Sequence, residues 1–165
     1  MRRLTLLRHA KSSWEDPDLD DFDRPLNARG LRNLPDMGRR LAARQDLPDL
    51  IVTSPAARAL ATARGIAREI GYREDGIAEA EELYLADVRQ ILAVVRALPD
   101  ARTHAMLVGH NPGFTDFANR LEGVRIDNMP TAAMLCVDFP VSRWSAVDPA
   151  TCKFVYFDYP KKQPG

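Results

Sequence analysis

Three short apolar runs each end abruptly in charged or functional residues, and that recurrence constrains the fold more than any other feature of the chain. Residues 3–7 lead into Arg8-His9, residues 50–53 (LIVT) into a segment ending at Arg58, and residues 105–108 (AMLV) into Gly109-His110. Runs this short, rich in branched side chains and bounded by polar residues, read as buried strands. Helical patterns fill the intervals. Asn27 caps a helix running through Met37 and Leu41, with Pro35 expected to bend or restart it. An alanine-rich helix spans about residues 56–70 and stops at Gly71, and Val88, Ile91, Leu92 and Val95 set helical spacing over residues 87–98. Asn111 opens a further helix, and residues 132–139 and 153–158 are strand-like. Residues 11–25 (KSSWEDPDLDDFDRP) are acidic and turn-rich, as in a functional surface loop.

Strands alternating with helices predict a three-layer α/β/α sandwich with a mostly parallel central sheet and the last strands antiparallel at an edge. At 165 residues the expectation is one domain, 1–165, able to enclose a core without disulfides or metal staples. Lys plus Arg and Asp plus Glu both number 23, a formal charge of zero, which argues against a nucleic-acid or membrane-surface binder. Cys136 and Cys152 stand singly in apolar contexts and read as buried thiols in a reducing, cytoplasmic compartment. The apolar run at the start is too short for a signal peptide and meets Arg8 and His9 at once, so the expected protein is soluble and unprocessed.

In such sheets ligands bind beyond the carboxyl ends of strands, where all three functional segments fall. Arg8 and Arg58 offer forked donors suited to phosphate oxygens, and His9 and His110 offer ring nitrogens. A neutral histidine can attack phosphorus directly, and neighbouring guanidinium groups favour the neutral form. A zinc site is the rival use of histidines, but His104 and His110 lie at the two ends of one predicted strand, about 20 Å apart at strand rise. His104 is therefore read as a solvated strand-entry residue. Ser54 lacks the G-x-S-x-G context of a nucleophile elbow and reads as a helix cap. No phosphate-binding glycine loop occurs.

The residues carry a family resemblance. Leu6-Leu7-Arg8-His9-Ala10, then Thr53-Ser54-Pro55 with Arg58 and Ala61-Thr62-Ala63, then Val108-Gly109-His110-Asn111 resemble in order the three signature segments of the histidine phosphatase superfamily, the phosphoglycerate-mutase-like fold. Within it, the short length and Arg8-His9-Ala10-Lys11-Ser12-Ser13-Trp14 most resemble the SixA-type phosphohistidine phosphatases. The resemblance implies that His9 is a nucleophile that becomes phosphorylated and that Arg8, Arg58 and a protonated His110 complete the phosphate pocket. It also implies that Arg24, in Asp23-Arg24-Pro25-Leu26, is a further phosphate ligand.

Asn111 and Lys11 are assigned to substrate binding, Lys11 as a rim charge that attracts anions. Asp18, Asp20 and Asp21 form a solvated face that could touch substrate or screen the arginines, and Trp14 is read as packing in preference to pocket wall. Larger family members use a carboxylate as general acid, and here only Glu82, in Glu81-Glu82-Leu83-Tyr84, offers a candidate, otherwise an exposed helix-start residue. A weak or absent acid favours phosphoramidate substrates over alkyl esters. The expected activity is metal-independent and cofactor-free removal of phosphate from a protein phosphohistidine, for example on a histidine-containing phosphotransfer domain. The alternatives are a small-molecule phosphomonoesterase or mutase-like enzyme on the same fold, and a non-catalytic phosphohistidine-binding module.

Overall fold

The computed structural model describes residues 1–162. Six strands form one sheet: β1 (Arg2–Arg8), β2 (Leu50–Thr53), β3 (Ala78–Glu79), β4 (His104–Gly109), β5 (Met134–Phe139) and β6 (Lys153–Asp158), in the order β3-β2-β4-β1-β5-β6. The first four are parallel; at one side β5 pairs antiparallel to β1, and β6 pairs antiparallel to β5 at the edge. The helices are α1 (Ala28–Ala43), α2 (Ala57–Ile70), α3 (Val88–Arg96) and α4 (Gly113–Ala118).

The period-2 alternation of a strand divides the core in two. Leu4 and Leu6 of β1, with Ala105 and Leu107 of β4, meet Ile91, Val95, Phe114 and Phe117 of α3 and α4. Leu7, Ile51, Met106 and Val108 meet Leu34, Met37, Ala63 and Ile66 of α1 and α2 on the opposite face. Burial on both faces is why the parallel strands read as continuous apolar runs and not as alternating ones.

Three helix ends follow from local residues. Asn27 accepts the Gly30 N–H at 2.8 Å to start α1, Asp87 and Gln90 form a reciprocal capping box on α3, and Gly71 closes α2 in the left-handed region at φ 76°. Four expectations need correction. Helix α1 runs unbroken through Pro35. Ser54 does not sit at the cap of α2, because the helix begins later, at Ala57; its hydroxyl accepts the Ala56 N–H ahead of it. Cys136 is buried as expected but Cys152 is only half-buried. His104 is not solvated: at 5% exposure it lies within the sheet, its Nε2 2.8 Å from the Thr5 hydroxyl on the neighbouring strand. A residue at the entry of a central strand is covered by layers on both sides, and Thr5 supplies the polar partner that makes burial tolerable. No helix among the described residues is long and apolar enough to cross a membrane.

Candidate active site

Register brings the three functional segments to one level. Arg8 pairs with Gly109 across β1 and β4, and Thr53 with Val108 across β2 and β4, so His9, Ser54 and His110 leave three adjacent strands side by side. Backbone bonds continue the ladder one step further, from His9 N–H to Gly109 C=O at 3.0 Å and from Ser54 N–H to Val108 C=O at 2.9 Å. The two histidine rings end 5.2 Å apart between centroids. They share a cleft of about 320 Å³ with Arg8, Lys11, Arg24, Arg58 and Asn111.

His9 Nδ1–H donates to its neighbour's carbonyl, Ala10 C=O, at 2.7 Å. A carbonyl only accepts, so the proton resides on Nδ1 and Nε2 keeps its lone pair. Burial, and then the charges of Arg58, Arg8 and Arg24, push the His9 pKa down to about 4 despite the Ala10 bond. At neutral pH the ring is uncharged although it lies in a cationic pocket. His110 Nε2 lies 2.7 Å from the Ser54 hydroxyl. Burial, followed by His9 and Arg58, holds its pKa down to about 3. In the free site, where no anion yet offsets the arginines, burial penalises a further charge and the His110 ring is held neutral.

The arginines are held by backbone and side-chain acceptors. Arg8 Nη1 donates to Met129 C=O at 2.8 Å. Arg58, 3% exposed, donates from Nη1 to the Asp21 carbonyl at 2.6 Å and from Nη2 to its carboxylate at 2.9 Å. Arg24 reaches the same carboxylate from Nε at 3.2 Å and the Ser12 hydroxyl from Nη1 at 2.8 Å. Its guanidinium stacks 3.5 Å from the centre of the Trp14 ring. Trp14 is therefore not core packing: 76% exposed, it is a wall of the cleft, because the loop keeps it outside the sheet layers.

Thr62 ties the elements together, its hydroxyl accepting from Ala10 N–H at 2.9 Å and donating to Arg58 C=O at 2.8 Å. Gly30 permits the close approach of α1, since a Cβ there would run into the Lys11 carbonyl oxygen. Asn111 braces the opposite wall, donating to Met129 C=O at 3.1 Å while its own oxygen accepts from the Thr115 hydroxyl at 2.9 Å.

Glu82 is not brought to the cleft. It lies exposed in a single 3-10 turn (Glu81–Leu83) and faces a separate apolar groove beside Leu50, Val52 and Gln90, because the turn directs Tyr84 and Leu85 to the cleft instead. Tyr84 packs edge-on to His110 at 5.4 Å and donates to the Asp21 carboxylate at 2.6 Å. Of the three loop aspartates, Asp21 alone contacts the arginines in the described hydrogen bonds. Its carboxyl would be raised by burial, but the bonds from Tyr84 and Arg58 hold it down to about 2. Sequence reasoning did not single out Tyr84, Thr62 or the Met129 carbonyl. Thr62 stood inside a quoted motif, while a backbone carbonyl carries no sequence signal. Among the described residues, no group of three or more His, Cys, Asp or Glu is placed to hold a metal ion.

Comparison with known proteins agrees with this geometry. Residues 4–105 match the profile of the histidine phosphatase superfamily (branch 1). An uncharacterized chloroplastic protein of Arabidopsis thaliana is 33% identical over 76% of the chain, a match spanning 61% of that protein's length. An uncharacterized protein of Mycobacterium tuberculosis is 30% identical over 94% of this chain and 100% of its own. The crystal structure of a candidate phosphohistidine phosphatase SixA from Agrobacterium tumefaciens superposes with a TM-score of 0.82 at 28% identity, covering 96% of this chain and 98% of the other. With its phosphoglycerate-mutase-like sheet and its SixA-type architecture, the chain belongs to the histidine phosphatase superfamily, branch 1.

Proposed function

We propose that the protein is a metal-independent phosphatase that passes the phosphoryl group of a protein phosphohistidine through His9 to water. The observation that carries this reading is the Nδ1–H bond to Ala10 C=O, which leaves Nε2 as an unprotonated nucleophile among arginines. In the first step the Nε2 lone pair attacks phosphorus in line, the bond from phosphorus to the departing imidazole nitrogen breaks with its electron pair staying on that nitrogen, and the substrate ring leaves as neutral imidazole because its other ring nitrogen carries the proton. Arg8, Arg58 and Arg24 balance charge on the phosphoryl oxygens, the work a metal ion does in other phosphoryl-transfer enzymes. The proton on Nδ1 stays, so the phosphorylated ring is an imidazolium and a good leaving group when water attacks in the second step.

His110 enters neutral and becomes a better proton holder once a phosphoryl dianion lies beside it. Asn111 holds the loop that carries His110, and Lys11 draws anions to the rim. The substrate class follows from the carboxylates: Glu82 faces elsewhere, and Asp21 is ion-paired and held as the anion, so neither is set to protonate an alkoxide. An imidazole leaving group needs less help. Exposed Trp14 and Leu85 at the cleft suit a protein substrate such as a histidine-containing phosphotransfer domain. Two free thiols suit a reducing cytoplasm.

The test is phosphate release from a phosphohistidine peptide by EDTA-treated protein, wild type against His9→Ala, with p-nitrophenyl phosphate in parallel. Release by wild type alone, with the peptide preferred, is the expected result. Wild-type protein that binds vanadate yet releases nothing from either compound would refute turnover and leave a binding role.

A further inference from the structure

Asp21 lines the cleft together with His9, Arg24, Arg58 and His110. Its carbonyl and carboxylate accept from both Nη atoms of Arg58, and the carboxylate also accepts from Arg24 Nε and from the Tyr84 hydroxyl. Two of the cleft's cations are thus partnered by one internal anion. Little else holds that anion. Asp21 opens a single 3-10 turn (Asp21–Asp23) with no side-chain cap and no buried residue, and its side chain is 43% exposed. Phe22 beside it touches only the edge of the Tyr84 ring among the aromatic contacts, at 5.1 Å between centroids. The partner guanidinium groups are the reverse, Arg58 at 3% exposure and Arg24 at 7%.

We propose that Asp21 is an internal competitor for the phosphoryl pocket: latched to Arg58, Arg24 and Tyr84 in the free enzyme, it swings away when phosphate enters and returns as phosphate leaves. The inference rests on the reading of the cleft as a phosphoryl site and adds a specificity and release device to it. A phosphoryl dianion carries three oxygens and two charges and can replace the contacts that Asp21 gives up. A singly charged ligand replaces them poorly. The returning carboxylate repels the product and re-forms its own bonds, so the latch weakens the binding of every phosphate, product included. The anchored arginines meanwhile stay in place between turnovers.

The competitor lowers apparent affinity by the fraction of molecules in which the latch is open. For a latch closed about nine-tenths of the time, Asp21→Asn binds orthovanadate and inorganic phosphate about tenfold more tightly than wild type. Tyr84→Phe removes one of the bonds holding the latch and shifts affinity in the same direction by less. Asp20→Asn removes the same charge one residue away, at a side chain with no contact to the arginines, and changes affinity less than about twofold on this argument.

The measurement is calorimetric titration of full-length, EDTA-treated protein with each anion, with the thermal midpoint of every variant recorded. A merely structural Asp21 would loosen the arginines when changed and weaken both anions, the opposite sign. Unchanged or weaker binding by Asp21→Asn overturns the proposal, as does equal tightening by Asp20→Asn. If Asp21→Asn does not fold, a Tyr84→Phe variant that binds no tighter than wild type overturns it. Failure of every folded variant to bind either anion would instead sink the phosphoryl reading of the cleft, and this inference with it.

Discussion

The Thr62 hydroxyl accepts the Ala10 N–H at 2.9 Å and so fixes the turn that follows His9 to the helix that carries Arg58. Both ends of this link are buried, and the same hydroxyl closes onto Arg58 C=O one turn earlier. His9 and Arg58 are therefore positioned by one fully buried side chain. Thr62→Val keeps the shape and leaves the Ala10 N–H without its acceptor. A buried unsatisfied donor costs about 1–3 kcal/mol. The expected outcome is a stability loss of that size in urea unfolding, with kcat falling more than KM rises. Unaltered stability would show that the link is not used.

Arg58 presents a fork whose two Nη atoms both reach Asp21. Lysine keeps the charge and loses the fork. On the scale of a single arginine aimed at a transferring phosphoryl group, Arg58→Lys should lower kcat/KM by about a thousandfold while the protein remains folded. Steady-state kinetics on the phosphohistidine peptide checks this, and a loss below about tenfold would remove Arg58 from the transition state.

The buried histidines set a pH signature. Desolvation is the main cause that depresses His9 to about 4 and His110 to about 3, from an ordinary value near 6.5. Proton NMR of the ring Cε1–H signals should accordingly show neither residue titrating between pH 8 and 5. An observed midpoint near 6.5 for either would contradict the desolvated, neutral pair.

The same shifts bear on stability. Below pH 6.5 the unfolded chain binds protons at His9 and His110 that the folded chain refuses until about pH 4 and 3. More protons are bound in the unfolded state across that window, so this contribution is full above 6.5 and is lost as pH falls. The thermal midpoint of wild type should therefore drop between pH 6.5 and 4 more steeply than that of His9→Gln. Parallel curves for the two proteins would argue against the linkage.

Trp14 is exposed and lies against the Arg24 guanidinium. An exposed cation–π contact is worth about 0.5–1 kcal/mol. Trp14→Ala should leave the melting temperature nearly unchanged and weaken vanadate binding by about two- to fivefold. A large stability loss would return Trp14 to the core packing role that its sequence context implied.

Much of the fold was legible in the sequence because its signals are local. Residues 50–53 and 105–108 are continuous apolar runs because their strands are buried on both faces. Asn27, Asp87 and Gly71 end helices by bonds or dihedrals within a few residues. Pro35 misled because its ring removes only one helical bond, and packing of α1 on α2 carries the helix across the gap.

The chain order of Arg8-His9, Arg58 and His110 is likewise written in the sequence, since Arg8-His9 and His110 stand at the ends of their own strands and Arg58 in the first turn of the helix that follows β2. What only the tertiary structure decided are the pairings made across the sheet and between loops. His104 is buried because Thr5 lies beside it, nearly a hundred residues earlier. Asp21, not Asp18 or Asp20, meets Arg58, and Tyr84, not Glu82, faces His110. Local pattern determines which residues form a strand or a turn, because those energies act within a few residues. Which of three neighbouring carboxylates meets an arginine depends on the dihedrals of a single turn and on the register of strands far apart in the chain, and no short-range preference encodes either.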